Sequence, residues 1–483
     1  MHLLYNHSKF IKILKYFCMY IKLFVPFCIG AALWLLPVPT ALDPKAWHLF
    51  AIFVATIAGI VLKPFPMGVI ALLSVLVAVL TGTLELGHQA LSGYSSPVIW
   101  LVVYVFFIAR GFINSKLGMR IAYLFVRMLG KYSLGLGYGI VFTELLIAPL
   151  IPSNSARAGG IIYPILKSMA ESLGSTPQDG TERKIGSFLV QVSYHGNLIT
   201  SAMFLTAMAA NPMAQKIAAK SGVAITWMNW FSGAIVPGLV SLILMPLLLY
   251  FIYPPQIKVL PNAVELAQEK LTEMGPMKRI EWIMIFVFAL MLSLWIFGSH
   301  IGIDSTTTAL LGLSALLITK VLSFDDMLKE KDAWHTLIWF AILVTMAEFL
   351  QEFGFVGWFS QYVSSHVTGL EWHVAFAILI IVYFYSHYFF ASNTAHVGAM
   401  YAAFLTVAIA AGTPPLMAAL ALGYCSSLFS HMTHYGSSSA VVLFGTGYVP
   451  IATWWTLGFF VSLLSLVIWG GVGSLWWKVL GWW

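Results

Sequence analysis

Apolar stretches long enough to cross a lipid bilayer recur along almost the whole chain, and this recurrence restricts the fold more than any other feature. Hydrophobic residues occupy 60% of the 483 positions and charged residues only 9%, whereas ordinary soluble domains carry about 25% charged residues. A bilayer-spanning helix needs roughly 20 predominantly apolar residues. The sequence therefore predicts an all-α polytopic membrane protein, because no single soluble core could bury this much apolar surface.

The hydropathy pattern predicts eleven transmembrane helices and two re-entrant hairpins. The apolar stretches 135–172 and 372–410 are each interrupted by polar residues, so that each half is short for a full crossing. We interpret both as helical hairpins, whose non-helical tips must be buried in protein or line a wet cavity. The predicted crossings lie near 23–38, 46–62, 66–84, 97–116, 183–211, 229–253, 280–300, 305–323, 332–351, 414–446 and 453–476.

Basic residues indicate the orientation of these helices. Residues 1–22 are basic and amphipathic, which is typical of a membrane-surface segment leading into a first transmembrane helix within 23–45. The loop after the fourth crossing, at 116–131, is also basic. By the positive-inside rule, the N-terminus is expected in the cytoplasm and, after eleven crossings, the C-terminus outside a bacterial plasma membrane. The net charge of +7 belongs to such loops, and no nucleic-acid-binding pattern accompanies it.

An internal repeat organises the chain. Ser153-Asn154-Ser155-Ala156 recurs 239 residues later as Ser392-Asn393-Thr394-Ala395, and Ser193-Tyr194-His195-Gly196 resembles Thr433-His434-Tyr435-Gly436 at an offset of 240. We therefore predict repeat 1 over 46–253, with its hairpin at 135–172 and a broken helix at 183–211. A cytoplasmic linker over 254–279 follows it. Repeat 2 covers 280–483, with its hairpin at 372–410 and a broken helix at 414–446. Because each repeat holds five crossings, the second is expected upside down relative to the first, as in many secondary carriers.

The repeated polar motifs predict an anion site. A hairpin tip exposes helix N-terminal N–H groups, which carry partial positive charge, and short polar side chains add donors at the same point. Two tips that approach from opposite sides could bind an anion with a carboxylate at each end. The predicted substrate-binding residues are Ser153, Asn154, Ser155, Ser392, Asn393 and Thr394, with Ser193, Gly196, Thr433 and Gly436 on a second wall where a glycine lets the helix unwind.

Basic residues follow both tips. Arg157 and His396 are also 239 residues apart, and a charge at membrane depth is either functional or paired. We predict that both compensate the charge of the substrate; the alternative for Arg157 is a salt bridge with Glu144. His195 and His434 are possible auxiliary residues that could couple a proton. No metal site or cofactor is predicted.

The two S-N-[ST] tips, together with the strings SNSARAGG, SNTAHVGAMY and HYGSSSAVVLFGTGYV, resemble the divalent anion:sodium symporter family, and in particular its citrate/succinate and 2-oxoglutarate/malate exchangers. The resemblance implies a homodimer with a fixed scaffold and a mobile transport domain that moves like an elevator. It also implies dicarboxylates or citrate as substrates. Arg157 and His396 depart from the sodium-coupled members, which favours a site without sodium.

We therefore predict an alternating-access transporter that exchanges di- or tricarboxylates without sodium. A sodium-coupled dicarboxylate symporter of the same fold is the main alternative, and an anion channel is a weaker one. An enzyme is not expected, because the sequence lacks H-E-x-x-H, G-x-S-x-G, P-loop and paired-carboxylate patterns. The exchanged pair, its direction and any coupled ion stay open at this point.

Overall fold

The structure, a computed structural model, describes residues 22, 24–40, 42–364 and 371–483. In these ranges the chain is helical, and its only β pairing is an isolated bridge between Tyr132 and Val259. Nine of the helices described are long and apolar enough to cross a membrane, which confirms the all-α membrane class. The predicted surface segment 1–22 lies outside the described residues, apart from Lys22.

The first half contains twelve α-helices within the described part. They are α1 (Phe24–Leu35), α2 (Pro44–Leu62), α3 (Met67–Leu80), α4 (Pro97–Ser115), α5 (Leu117–Leu129), α6 (Ser133–Ile147), α7 (Asn154–Arg157), α8 (Tyr163–Ser172), α9 (Gly186–Met203), α10 (Ala210–Lys220), α11 (Trp227–Ile252) and α12 (Pro261–Met274). A π-helical turn over Ala158–Ile162 joins α7 to α8.

The second half repeats this order of elements. Its helices are α13 (Arg279–Phe297), α14 (Ser305–Ile318), α15 (Phe324–Lys329), α16 (Lys331–Glu352), α17 (Phe355–Ser364), α18 (Trp372–Tyr385), α19 (Asn393–His396), α20 (Ala402–Ala410), α21 (Pro415–Leu428), α22 (Ser438–Phe444), α23 (Ile451–Val467) and α24 (Ser474–Val479). A π-helical turn over Val397–Tyr401 joins α19 to α20, and another over Ile468–Gly473 joins α23 to α24.

Two helices stand where the sequence predicted loops. α5 occupies the basic loop after the fourth crossing, and α17 has the equivalent place in the second half. α5 is amphipathic: its apolar side packs on α6 and α12. One of its basic residues, Arg120, is paired with Glu281 of α13 at 2.5 Å. Hydropathy alone missed α5 because its charged residues lower the average over the segment.

The helix after the first hairpin corrects a second prediction. α9 runs unbroken through Gly196 to Met203, and the chain leaves the α-helix only at Phe204, before α10. The expected unwinding at Gly196 is therefore wrong. In the second half the break between α21 and α22 does include Gly436. The repeated motifs Ser193–Gly196 and Thr433–Gly436 therefore lie at different points, one within a helix and one in a break. The reason is that residues 173–185 connect α8 to α9, whereas only 411–414 connect α20 to α21.

α9 forms the centre of the described structure. Every one of its residues is buried, and it packs against α6, α11 and α21. These neighbours belong to both halves of the chain, so that the first hairpin and the second broken helix share one core. The polar tips described below lie at the edge of this core.

Candidate functional site

The two hairpin tips have the same local construction. After α6 and after α18 the chain makes a short 3₁₀ turn and becomes extended. Ser153 then caps the next helix by accepting a hydrogen bond from the Ala156 N–H at 3.2 Å, and Ser392 accepts one from the Ala395 N–H at 3.4 Å. Serine is favoured at this position because its hydroxyl satisfies an otherwise unpaired helical N–H.

Both tips line one cavity of about 530 Å³. The six predicted tip residues all lie on its wall, together with residues from the ends of α2 and α3, from α4, from the α9–α10 break and from the start of α22. The full lining consists of Lys63, Met67, Phe106, Pro152, Ser153, Asn154, Ser155, Met208, Ala209, Ala391, Ser392, Asn393, Thr394, Ser437, Ser438, Val441 and Val442. The structure thus brings together residues that are 239 positions apart in sequence.

The side-chain amides of the two tip asparagines make different hydrogen bonds within the protein. Asn154 accepts hydrogen bonds through Oδ1 from the Ser155 N–H at 2.9 Å and from Ser438 Oγ at 2.8 Å. Asn393 instead donates through Nδ2 to the Ser426 carbonyl at 2.8 Å and to Ser430 Oγ at 3.0 Å. The donors of Asn154 are therefore available to an anion. At the second tip the hydroxyls of Ser392 and Thr394 lie 2.9 Å apart, so that one donates to the other and the remaining hydroxyl hydrogen is available to an anion.

Arg157 does not line the cavity, and the structure favours the alternative that pairs it with Glu144. The guanidinium is completely buried, and its Nε lies 3.0 Å from Glu144 Oε2. It also donates to the carbonyl of Ile151 at the tip and to that of Ala207 in the α9–α10 break, at 2.5 and 2.7 Å. The carboxylate of Glu144 accepts a further hydrogen bond from Asn197 at 3.1 Å. The predicted contact between Arg157 and the substrate is therefore absent from this conformation.

His396 is likewise buried behind its tip and outside the cavity lining. Its Nδ1 lies 3.2 Å from His387 Nδ1, and its Nε2 lies 3.1 Å from Ser386 Oγ. His387 in turn donates from Nε2 to the Gly436 carbonyl in the α21–α22 break at 2.8 Å. Its predicted position facing the substrate is wrong for this conformation, because the imidazole is held in the hydrogen-bonded cluster behind the tip.

The two halves thus place basic side chains in equivalent positions. Each cluster joins a hairpin to the helix break of its own repeat, through Arg157 in the first and through His387 with His396 in the second. At the position equivalent to Glu144 the second repeat has Tyr383, whose ring centre lies 4.7 Å from that of His396. An ion pair in one repeat is replaced by aromatic and imidazole contacts in the other.

The remaining predicted residues do not line the cavity. Ser193, Gly196 and His195 lie inside the buried α9, and His195 Nδ1 is 2.9 Å from His431 Nδ1. Thr433 and His434 belong to the α21–α22 break with Gly436, and His434 accepts a hydrogen bond from the Trp455 indole at 3.1 Å. The second wall of the cavity consists instead of Met208, Ala209, Ser437 and Ser438. Among the described residues, no group of three potential metal ligands is present.

Lys63 is a cavity residue that the sequence analysis missed. It follows α2 directly, and its Nζ donates to the carbonyl of Ala391, the residue before Ser392, at 3.3 Å. A signal was present in the sequence, because a single lysine separates two apolar segments in Leu62-Lys63-Pro64. A lone lysine in a short turn does not show which residues it faces, because Ala391 is 328 positions away in sequence.

Comparison with known proteins assigns this chain to a family. The profile of the family described as "Sodium:sulfate symporter transmembrane region" matches residues 18–483. The Bacillus subtilis protein named "Putative malate transporter YflS" is 56% identical over 464 residues, which cover 96% of this chain and 97% of that protein. "Dicarboxylate transporter 1, chloroplastic" of Spinacia oleracea is 50% identical over 457 residues, covering 94% and 80%.

The Escherichia coli "Inner membrane protein YbhI" is 37% identical over 470 residues, covering 95% of this chain and 98% of that protein. Among solved structures, the YdaH transporter of Alcanivorax borkumensis has a similar fold, with a TM-score of 0.56 and 12% identity over 84% of this chain and 89% of that one. The chain is thus a multi-pass membrane transport protein, not an enzyme, and it belongs to the sodium:sulfate symporter family, the divalent anion:sodium symporters.

Proposed function

We propose that this chain is a secondary active transporter that exchanges di- and tricarboxylates without sodium. The substrate class comprises 2-oxoglutarate, malate, succinate, fumarate and citrate. The observation that carries the proposal is the single cavity lined by both S-N-[ST] tips. Relatives named after malate and dicarboxylates support the same class.

The chemistry of the cavity suits an anion with two separated carboxylates. One end offers the amide of Asn154 and the hydroxyl of Ser155, and the other offers Ser392 and Thr394. The helices that begin at the two tips add partial positive charge from their first N–H groups. An extended dicarboxylate can therefore place one carboxylate at each tip, with its carbon chain against Val441 and Val442 of α22.

The proposal of sodium independence rests on the buried basic side chains. In carriers with broken helices, carbonyl oxygens of the unwound segments coordinate Na⁺. Here the Arg157 guanidinium already donates hydrogen bonds to the carbonyls of Ile151 and Ala207. In the second repeat, His387 similarly occupies the carbonyl of Gly436. A sodium ion at either place would have to displace these donors.

The proposal of exchange rests on the polar side chains that line the cavity. It does not rest on an unpaired charge at Arg157, because Glu144 offsets that charge. If an empty site crossed a dry barrier, the cavity donors would lack partners, at about 1–3 kcal/mol for each unpaired group. A bound carboxylate pairs with several of them. The substrate-loaded site should therefore cross the membrane more readily than the empty site. The inward movement of one carboxylate is then coupled to the outward movement of another.

We extend the proposal to the architecture. Eleven crossings with two re-entrant hairpins form two inverted repeats, and the chain acts as a homodimer in the bacterial plasma membrane, with its N-terminus in the cytoplasm and its C-terminus outside. The hairpins and broken helices then move together like an elevator against a scaffold. The repeated order of helices in the two halves supports this arrangement.

Counterflow in proteoliposomes tests the proposal. The purified protein is reconstituted with internal succinate, malate, 2-oxoglutarate, citrate, acetate or sulfate, and uptake of labelled external succinate is measured in sodium-free buffer and with sodium. We expect uptake only with internal di- or tricarboxylates, at equal rates in both buffers. Uptake into anion-free liposomes that requires an inward sodium gradient would instead establish a sodium-coupled symporter. A conductance that needs no internal anion would indicate a channel.

A further inference from the structure

Lys63 supplies the cavity with a positive charge that the two repeated motifs do not provide. Within the described residues, it is the only ionisable side chain that lines the space between the tips. The basic residues that follow the two tips in sequence are Arg157 and His396. Both are buried behind the tips, each in its own hydrogen-bonded cluster. Any charge contact with a ligand in this conformation therefore falls to Lys63.

The position of the ammonium group relates it to the second tip. Nζ lies 3.3 Å from the carbonyl oxygen of Ala391, next to Ser392. An ammonium has three donors, and this bond uses one of them. The others can reach an anion held by the hydroxyls of Ser392 and Thr394, which line the same cavity. A carboxylate there would receive a charge-assisted hydrogen bond, which is about twice as strong as a neutral one.

The lysine also breaks the equivalence of the two repeats. The position 239 residues after Lys63 is Gly302, and both residues have left-handed backbone conformations, with φ of 52° and 74°. Glycine adopts this conformation without steric cost, whereas lysine does not. The cavity thus has hydroxyl donors from both tips but a cation near only one of them. A ligand with two carboxylates would meet unequal ends.

We propose that Lys63 binds the carboxylate at the second tip and so determines which end of a ligand with unequal ends lies there. This inference rests on the proposed carboxylate transport. Removal of the ammonium should weaken binding of a dicarboxylate, because one of its two charges loses its partner. It should equally weaken binding of a monoanion of the same length, because its single carboxylate binds beside the only cation among the lining residues.

The substitution K63G tests the proposal with little risk to folding, because glycine already occupies the equivalent position in the second repeat. Apparent affinities are measured by proteoliposome counterflow for succinate and for its monoamide, succinamate. We expect the affinities for succinate and for succinamate both to fall by about tenfold or more, because each ligand loses the cation that pairs with a carboxylate. K63R, which keeps the charge, should retain most of both affinities.

K320G is the matched control. Lys320 also has a left-handed backbone, with φ of 58°, but it is exposed near the end of α14 and does not line the cavity. Its replacement should alter neither affinity. If K63G keeps the wild-type affinities for succinate and succinamate, the proposal is overturned. If K63G does not transport, thermal stabilisation by each ligand replaces counterflow, and full stabilisation by succinate would equally overturn it. A wild-type protein that transports no dicarboxylate would refute the proposed function itself.

Discussion

At the scale of single residues, burial decides the roles of the charged groups. Arg157 has no exposed surface, and its nitrogens are distributed over one carboxylate, two carbonyls and the Ser201 hydroxyl. A guanidinium with this many partners is fixed in place. The sequence could identify Arg157 and Glu144 as candidates for a pair, but the spacing of 13 residues across a hairpin does not determine whether the arginine faces its neighbour or the cavity.

The Glu144–Arg157 pair should contribute strongly to stability. Replacing one partner, as in Arg157→Met or Glu144→Met, leaves an unpaired buried charge and should cost about 3–5 kcal/mol. The double variant Glu144→Met/Arg157→Met should be less destabilised than the two single variants added together. Thermal unfolding in detergent measures these differences. The control is Glu171→Gln, which breaks an exposed pair with Lys167 and should change stability by less than about 1 kcal/mol. Purely additive effects of the two methionine substitutions would contradict the pairing.

Asn154 should bind substrate through its free amide donors. The substitution Asn154→Asp places a carboxylate against the substrate and removes those donors. Because charge repulsion in a partly dry site is strong, counterflow should fall by about a hundredfold or more. Asn262→Asp, on the exposed side of α12, is the control and should transport normally. Normal transport by Asn154→Asp, at equal protein level, would remove this tip from the site.

At the scale of elements, close packing sets the path of the second helix break. Gly458 of α23 lies against the chain at the start of the α21–α22 break, where an added Cβ would clash with the His431 carbonyl oxygen and would lie 2.7 Å from the Met432 Cα. These are backbone atoms, so rotation of a side chain cannot relieve the contact. The bend that leads to Ser437 and Ser438 at the cavity therefore depends on a glycine in another helix.

The substitution Gly458→Ala should move this break. Overpacking of this kind typically costs about 1–3 kcal/mol, and the displaced Ser438 should weaken its contact with Asn154. We expect a lower unfolding temperature together with a reduced apparent affinity for dicarboxylates. Gly470→Ala, in the following π-helical turn, is the control because an added Cβ there has no heavy atom within 4 Å. If both variants behave like the wild type, α23 does not shape the site.

The sequence predicted the elements whose signal is local and missed those set by tertiary contacts. The tips were found because Ser, Asn and Thr interrupt otherwise apolar segments. The path of the chain after each hairpin was not predicted correctly. The repeated S-Y-H-G and T-H-Y-G strings suggested equivalent positions, but one lies within α9 and the other in the α21–α22 break. Lys216 and Lys220 fall between the predicted crossings 183–211 and 229–253, whereas in the structure they belong to α10 and both contact Glu348 of α16, at 3.1 and 2.8 Å. Such pairing over a long sequence distance has no local pattern.

At the scale of the whole molecule, the order of helices in the two halves is the basis for the proposed inverted topology. In a variant without native cysteines, single cysteines at Arg127 and Trp483 should react with an impermeant thiol reagent from opposite sides of the membrane. Arg127 is exposed on α5 beside Gln268, and it should be labelled only from the cytoplasmic side. Labelling of both positions from outside intact cells would contradict the odd number of crossings predicted between Arg127 and the C-terminus.

We expect the cavity between the tips to carry carboxylates in both directions and to return poorly when empty. Efflux from proteoliposomes loaded with labelled succinate, in buffer free of sodium and at zero membrane potential, measures this behaviour. We expect little efflux into anion-free buffer and rapid efflux when malate, 2-oxoglutarate or succinate is added outside, with one molecule leaving for each that enters. Equally rapid efflux without an external carboxylate, or efflux that starts only when sodium is added, would contradict it.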